Sequence, residues 1–462
     1  MNRMPTTTHD IVILGGGSGG YACALRAAQL GKTVALIEKD KLGGTCLHRG
    51  CIPTKALLHT AEVADTTRDS ARFGVQATLE GIDLAAVHSY KDGVVGRLHK
   101  GLQGLVKAAA NITYVEGEGR LTSPTTVTVG EDELVGEHVV LATGSSARTL
   151  SGIEIGGRVM TSDEALGLEE VPARAIILGG GVIGVEFASL LRSFGAEVTI
   201  VEALDRIVPM EDPAISKQLE RAFRKRKITT RAGVKVASVS QDDAVVTVEL
   251  EDGSSLEAEL LLVAVGRGPL SEGLGYEEAG VTLDRGFVQV DERLRTGVEG
   301  VRAVGDLIAG AQLAHRGFAH GIFVAEDLAG LDPEPVRDHL VPKVTYSDPE
   351  IASVGLSEEQ AREQHGDGVR TYEYNLGGNG KSQILGTAGF VKLVRASEDG
   401  PVVGVHMVGA RMGEQIGEAQ LIVGWEALPE DVATFIHAHP TQNEALGVAH
   451  LALAGKPLHA HA

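Results

Sequence analysis

The sequence predicts an α/β protein in three portions, two of them parallel sheets flanked by helices and the last an α+β layer. Three observations carry this. Strand-like apolar runs alternate with helical patterns through the N-terminal half, the signature of parallel sheets. A strand–glycine–helix unit occurs twice, over 11–39 and 175–202. Beyond a break at 331–335, strand patterns at 343–346, 389–395 and 402–409 mix with a helical one at 413–425.

The totals narrow the possibilities. The chain has 462 residues, 43% apolar and 23% charged, which is ordinary for a folded protein with several cores. Its 60 glycines are well above the usual ~7% and cluster after apolar runs, which points to backbone–ligand contacts. A net charge of −20 repels phosphate backbones and acidic lipid headgroups, so neither nucleic acid nor membrane is an expected partner. The basic run Arg221, Arg224, Lys225, Arg226 and Lys227 reads as the solvated end of a helix. Three cysteines do not make a secreted disulfide scaffold. The polar start lacks a signal-peptide pattern, and no apolar run reaches the ~18–20 residues of a membrane span, so a cytoplasmic protein is expected.

Gly15, Gly17 and Gly20 satisfy G-x-G-x-x-G between a strand at 11–14 and a helix at 21–31. Only glycine turns this tightly and lets a pyrophosphate approach the amides of a helix start. The following strand, 33–37, ends at Glu38, a carboxylate placed for ribose hydroxyls. Gly179, Gly181 and Gly184 repeat the pattern, with a strand at 197–201 ending at Glu202. An acid there accepts a free 2′-hydroxyl and repels a 2′-phosphate, which favours NAD over NADP. Two Rossmann-like units imply two dinucleotides and electron transfer between them. Strand patterns at 234–239, 244–250 and 260–265 follow, and Gly266-Arg267-Gly268-Pro269 breaks the chain.

Cys46 and Cys51 follow the first unit directly. Two thiols this close can close a small ring at little entropic cost. They sit ahead of a helical run at 55–63, whose positive end favours a thiolate, and Lys55 adds charge on the same face. Spacing alone also allows a reduced buried pair. A metal site using Cys46, His48, Cys51 and His59 fits no strong zinc pattern, and no metal is expected. Cys23, inside the first helix, reads as core.

Cys46-x4-Cys51 followed by Pro53-Thr54-Lys55 resembles the redox signature of the flavin disulfide reductases, the FAD-dependent pyridine nucleotide-disulfide oxidoreductases. Within that family the chain is most similar to the dihydrolipoamide dehydrogenase branch, in order and over its whole length. The resemblance implies an FAD-binding domain at 1–150, an NAD-binding domain at 151–268, a central segment at 269–340 completing the FAD domain, and an interface domain at 341–462. It implies FAD contacts at Lys39, Thr45, Lys55, Gly119, Thr143, Gly144 and Ala314, with Asp306 of Val304-Gly305-Asp306 on the ribityl chain. It implies NAD contacts at Glu186, Val236 and Gly266.

For the chemistry, the resemblance makes Cys46 the interchange thiol and Cys51 the sulfur nearer the flavin, with a Lys55–Glu186 pair beside the ring. His437-Ala438-His439-Pro440-Thr441 with Glu444 is similar to the C-terminal catalytic motif, His439 being the base and Glu444 its partner. On spacing alone, Thr441 to Glu444 also reads as a helix capping box, and His437 as a structural histidine. The implied assembly is a homodimer whose base crosses between subunits, working on the lipoyl domain of a 2-oxo acid dehydrogenase complex acyltransferase. The alternative on the same scaffold is another small-thiol disulfide reductase or a quinone/diaphorase-type flavoprotein. Departures are few. His48-Arg49 and Thr54 replace commoner residues, and Leu270 stands where Asn is usual. Ala203 and Pro209 stand where NADP-using relatives carry arginines, and no cysteine follows Cys51, which removes the mercury-reducing branch.

Overall fold

The computed structural model describes residues 7–459; residues 1–6 and 460–462, with part of the polar N-terminal stretch, lie outside the described residues. The first sheet runs β3–β2–β1–β6–β5–β4, from β1 (Thr7–Leu14), β2 (Val34–Glu38), β3 (Ile112–Glu116), β4 (Gly119–Ser123), β5 (Thr126–Val129) and β6 (Asp132–Leu141). Ile11, Val12 and Ile13 are fully buried, as strands covered on both faces must be. Helix α1 (Ser18–Gln29) has Gly17 of the first glycine turn at its cap.

Helix α2 (Cys51–Arg68) begins at Cys51, earlier than the expected 55–63. The Thr54 N–H donates to the Gly50 carbonyl at 3.0 Å, and Pro53 is tolerated because the first turn needs no amide from it. Cys46 lies on a separate helical turn, Gly44–His48. Helix α3 (Leu84–Ala108) has 25 residues and no counterpart in the sequence reading. Glycines at 93, 96, 101 and 104 weaken its helical signal, while Asp83 caps it by accepting from the Ala86 N–H.

The second sheet is all parallel, ordered β10–β9–β8–β11–β7: β7 (Val159–Met160), β8 (Arg174–Leu178), β9 (Glu197–Glu202), β10 (Ile228–Ala232) and β11 (Leu260–Val263). Helix α4 (Val182–Phe194) follows its glycine turn, and α5 (Pro213–Lys225) leads to the basic run. That run corrects the sequence reading at one position. Arg226 is no solvated end: its guanidinium donates to Ser193 Oγ at 2.7 Å and the Asp348 carbonyl at 3.1 Å, and pairs with Asp65 on α2.

The chain then returns to the first sheet, where Val301–Ala303 pairs in parallel with β6 and carries Asp306 to the end of that sheet holding the glycine turn. Helix α6 (Ala314–Leu328) packs on α1 through Gly19, Gly317 and Gly321, where side chains would collide. The last sheet is antiparallel, ordered β12–β13–β16–β15–β14: β12 (Lys343–Thr345), β13 (Glu350–Gly355), β14 (Arg370–Asn375), β15 (Phe390–Arg395) and β16 (Val402–Gly409). Helices α7 (Ile416–Gly424) and α8 (Glu444–Leu453) cover it, and the expected helix at 413–425 opens with a 3-10 turn at Gly413–Gln415. Every residue of β15 is buried, charges included: Lys392 pairs with Asp212 and Glu358, and Arg395 with Glu430. Among the described residues, no helix is long and apolar enough to cross a membrane.

Two buried histidines set a pH limit on this fold. Burial lowers both His320 and His450 to about 4, so each is neutral when folded. The unfolded chain takes those protons near pH 6.5, so their stabilisation is complete above that value and lost as pH falls toward 4. Urea midpoints at pH 7.5 and 5.5 check this. A marked fall is expected, and equal midpoints are the contrary result.

Candidate active site

Both glycine turns lie at the carboxyl ends of their strands and share one geometry. Gly15 and Gly179 each have φ +109°, and a Cβ would run into the carbonyl of Ala142 or Ala264. A Cβ on Gly20 or Gly184 would strike the carbonyl oxygen of Gly15 or Gly179, so these glycines let helix and strand pack closely. A Cβ on Gly181 would meet nothing and one on Gly17 only the Gly44 Cα at 4.0 Å, which leaves the room a pyrophosphate needs. The strand-end acids are already oriented. Glu38 accepts from the N–H of Gly16 (2.8 Å) and Asp40 (2.9 Å), and Glu202 from that of Gly180 (2.6 Å) and Leu204 (2.8 Å).

A cleft of about 1160 Å³ runs from Glu38 past the first turn to the cysteines. Gly15, Gly17, Glu38, Lys39, Thr45, Cys46, Cys51, Lys55, Gly119, Thr143, Gly144, Asp306 and Ala314 line it. Gly119 has no room for a side chain, since a Cβ would press on Leu14 and Ile37. Asp306 accepts from Ser145 Oγ at 2.6 Å, and that oxygen accepts from Arg267 Nε at 2.9 Å. An elongated cleft with an acid at one end, a glycine turn at the middle and a polar carboxylate near the sulfurs fits FAD. Val182, Ile183 and Glu186 from the start of α4 line the same cleft, so the second glycine turn opens towards the first site. Gly266 lies after β11 with φ +105°, and Val236 begins the strand Val236–Gln241, packed beside the second sheet's core.

Cys46 and Cys51 are free thiols, part-buried in the cleft. Cys51 is lowered to about 7, first by the hydrogen bond from Cys46 and then by the Lys55 charge against the cost of burial. The same bond, with burial, pushes Cys46 far up. These opposite shifts favour the proton on Cys46 and the charge on Cys51 in the reduced pair. Lys55 Nζ lies 2.7 Å from Glu186 Oε2 and 4.9 Å over the Tyr346 ring. Glu186 is 3% exposed and its other oxygen accepts from the Tyr346 N–H at 2.9 Å, so it is no solvated helix carboxylate. Cys23 is fully buried and its thiol is pushed up to about 12 by burial.

The C-terminal motif stands apart. His439 Nδ1 lies 2.9 and 3.0 Å from the Glu444 oxygens, and its ring is 67% exposed. Thr441 Oγ accepts from the Glu444 N–H at 3.1 Å, but α8 starts at Glu444 with Asn443 at its cap, so the expected capping box does not form and the Glu444 carboxylate turns to His439. Neither His439 nor Glu444 lines the cleft that holds the sulfurs. Sequence reasoning missed Tyr346 and Ser145. Tyr346 ends a strand like any surface aromatic, with no spacing that ties it to Lys55 or Glu186. Ser145 adjoins the Ala142-Thr143-Gly144 turn, and that adjacency was its only signal.

Residues 9–321 match the family described as pyridine nucleotide-disulphide oxidoreductase, and residues 341–450 match that family's dimerisation domain. The chain belongs to the pyridine nucleotide-disulphide oxidoreductase family. It is 43% identical to a dihydrolipoyl dehydrogenase of Bacillus subtilis, over 98% of this chain and 99% of that one. A mitochondrial dihydrolipoyl dehydrogenase of Pisum sativum is 40% identical, over 98% and 92%. The solved structure of LpdA from Mycobacterium tuberculosis superposes with a TM-score of 0.89 at 26% identity, covering 97% of this chain and all of that one. The α/β architecture expected from sequence, with its C-terminal dimerisation domain, is thus that of the pyridine nucleotide-disulphide oxidoreductases.

Proposed function

We propose that the chain is an FAD-dependent dihydrolipoyl dehydrogenase, oxidising protein-bound dihydrolipoamide through Cys46 and Cys51 and reducing NAD. The carrying observation is the sulfur pair itself: Cys46 and Cys51 lie part-buried in one cleft, Cys51 opens α2, and Lys55 lines the cleft beside them, lowering Cys51. Near-full-length relatives named dihydrolipoyl dehydrogenase support the substrate. FAD held in the cleft supplies the two-electron relay between the sulfurs and NAD. Glu38 takes its ribose, Gly15, Gly17 and Gly20 admit its pyrophosphate, and Asp306 takes the ribityl chain, with Lys39, Thr45, Gly119, Thr143, Gly144 and Ala314 around it. Gly179, Gly181, Gly184, Glu202, Val236 and Gly266 hold NAD, and the Lys55–Glu186 pair keeps a fixed positive charge beside the sulfurs.

In the first step His439 Nε2 takes a proton from the dithiol, and the substrate thiolate attacks Cys46 of the oxidised pair. The Cys46–Cys51 bond breaks and Cys51 leaves as a thiolate, stabilised by Lys55 and the helix start. The second substrate sulfur displaces Cys46, which takes up a proton as lipoamide departs. Glu444 holds the His439 ring by Nδ1 and stabilises its charged form. Because His439 faces solvent away from its own cleft, the base serves a second copy of the chain in a homodimer. Trp425, Phe435 and Ile436, which expose most of their apolar surface on the C-terminal domain, support that contact. The four-part division at residues 150, 268 and 340 belongs to this reading, as do the lipoyl domain of an acyltransferase as partner and a cytoplasmic location.

Anaerobic titration of the holoenzyme with dihydrolipoamide, before and after NAD, tests the proposal. Reduction of the flavin followed by NADH formation is expected. Turnover confined to glutathione or mycothiol disulfide with NADH favours the alternative reductase. For the second nucleotide, Glu202→Ala is expected to narrow the preference for NAD over NADP by roughly tenfold or more, read as the ratio of kcat/KM values. An unchanged ratio removes Glu202 from specificity.

A further inference from the structure

The C-terminal motif holds a second histidine–carboxylate pair to which the mechanism above gives no task. His437 Nε2 lies 2.8 Å from Glu418 Oε1 on α7, and the other Glu418 oxygen accepts from Asn443 Nδ2. Asn443 immediately precedes Glu444 at the start of α8. One carboxylate therefore grips both ends of the segment that presents His439 and Glu444. Space for the His437 ring comes from Gly447 on α8, where a Cβ would run into Nδ1.

The two histidines point in opposite directions. The His437 side chain is 9% exposed and that of His439 is 67% exposed. The inward pair is a charge-assisted bond: Glu418 holds His437 above its usual range, and His437 in turn lowers Glu418. The outward ring keeps contact with Glu444 but is otherwise largely in solvent, so its aim depends on the backbone that carries it. A displacement of ~1 Å at a reacting group is enough to cost about a hundredfold in rate.

We propose that Glu418 is a positioning residue for the His439–Glu444 pair, fixing through His437 and Asn443 the segment that offers His439 Nε2 to a dithiol. This rests on His439 being the base. Two half-activities of the holoenzyme separate the possibilities. One is flavin reduction by dihydrolipoamide in a rapid-mixing experiment, which needs the base. The other is NADH oxidation by ferricyanide, which does not.

Glu418→Gln, close in shape, is expected to slow the first about tenfold at saturating dithiol with half-saturation unchanged, and to leave the second unchanged. In a His439→Gln background the same substitution is expected to add nothing, because its effect passes through His439. The proposal is overturned if E418Q leaves dithiol reduction intact, lowers both half-activities together, or slows the reaction equally in both backgrounds. If E418Q does not fold, Asn443→Ala, which removes one of the two grips, is held to the same three criteria. If H439Q by itself leaves dithiol reduction unchanged, the base assignment fails instead.

Discussion

Cys51→Ser abolishes NAD reduction by dihydrolipoamide, and with it the long-wavelength absorbance that a thiolate gives beside an oxidised flavin. The expectation follows from how the charge is divided. Cys51 reaches about 7 because Cys46 donates to it and Lys55 stands near. A serine hydroxyl in its place stays protonated and forms no disulfide with Cys46, so the pair has no oxidised form to offer. The FAD contacts expected at Glu38, the glycine turn and Asp306 are untouched, so flavin content should match the parent. Absorbance spectra and dithiol turnover on purified holoenzyme decide it, and a retained long-wavelength band in the variant would show the sulfur assignment to be wrong.

His439→Gln is expected to slow dithiol-dependent flavin reduction by roughly 10²- to 10⁴-fold, the range for losing a general base. Glutamine keeps a hydrogen-bonding group near Glu444 but cannot carry the proton. FAD stays bound, since the ring lies outside the cleft. Rapid mixing of oxidised enzyme with dihydrolipoamide, alongside flavin content, checks both parts. Kinetics equal to the parent's would remove His439 from the mechanism.

What was legible in the sequence is what local covalent geometry demands. A φ of +109° at Gly15 and Gly179, and helices packed where Gly20 and Gly184 allow no side chain, can be met only by glycine, so the letters themselves betray the turns. Glu38 and Glu202 follow because a strand of known length ends there. The start of α2 at Cys51 was hidden by Pro53, which reads as an interruption although it suits a first turn. Helix α3 was hidden by its glycines. Side chains that meet from distant segments leave no mark in spacing: Lys55 and Glu186 were linked only through family resemblance, Tyr346 and Glu418 gave no sign, Ser145 had only its adjacency to a turn, and Arg226 read as one more charge in a basic run. The Glu444 carboxylate is the instructive case, because its spacing alone favours a helix cap and only the family resemblance makes it a catalytic partner, while the observed carboxylate bonds to His439.

That uncapped helix start has a consequence for evolution under heat. A capping side chain is worth about 1 kcal/mol, and here Asn443 at the cap turns to Glu418 while the Glu444 carboxylate serves the histidine. A population screened only for resistance to warming would tend to recover that missing increment at the beginning of α8, and variants gaining it by releasing Asn443 from Glu418 would emerge tougher and slower. Screens for robust forms of this enzyme should therefore score turnover in the same round.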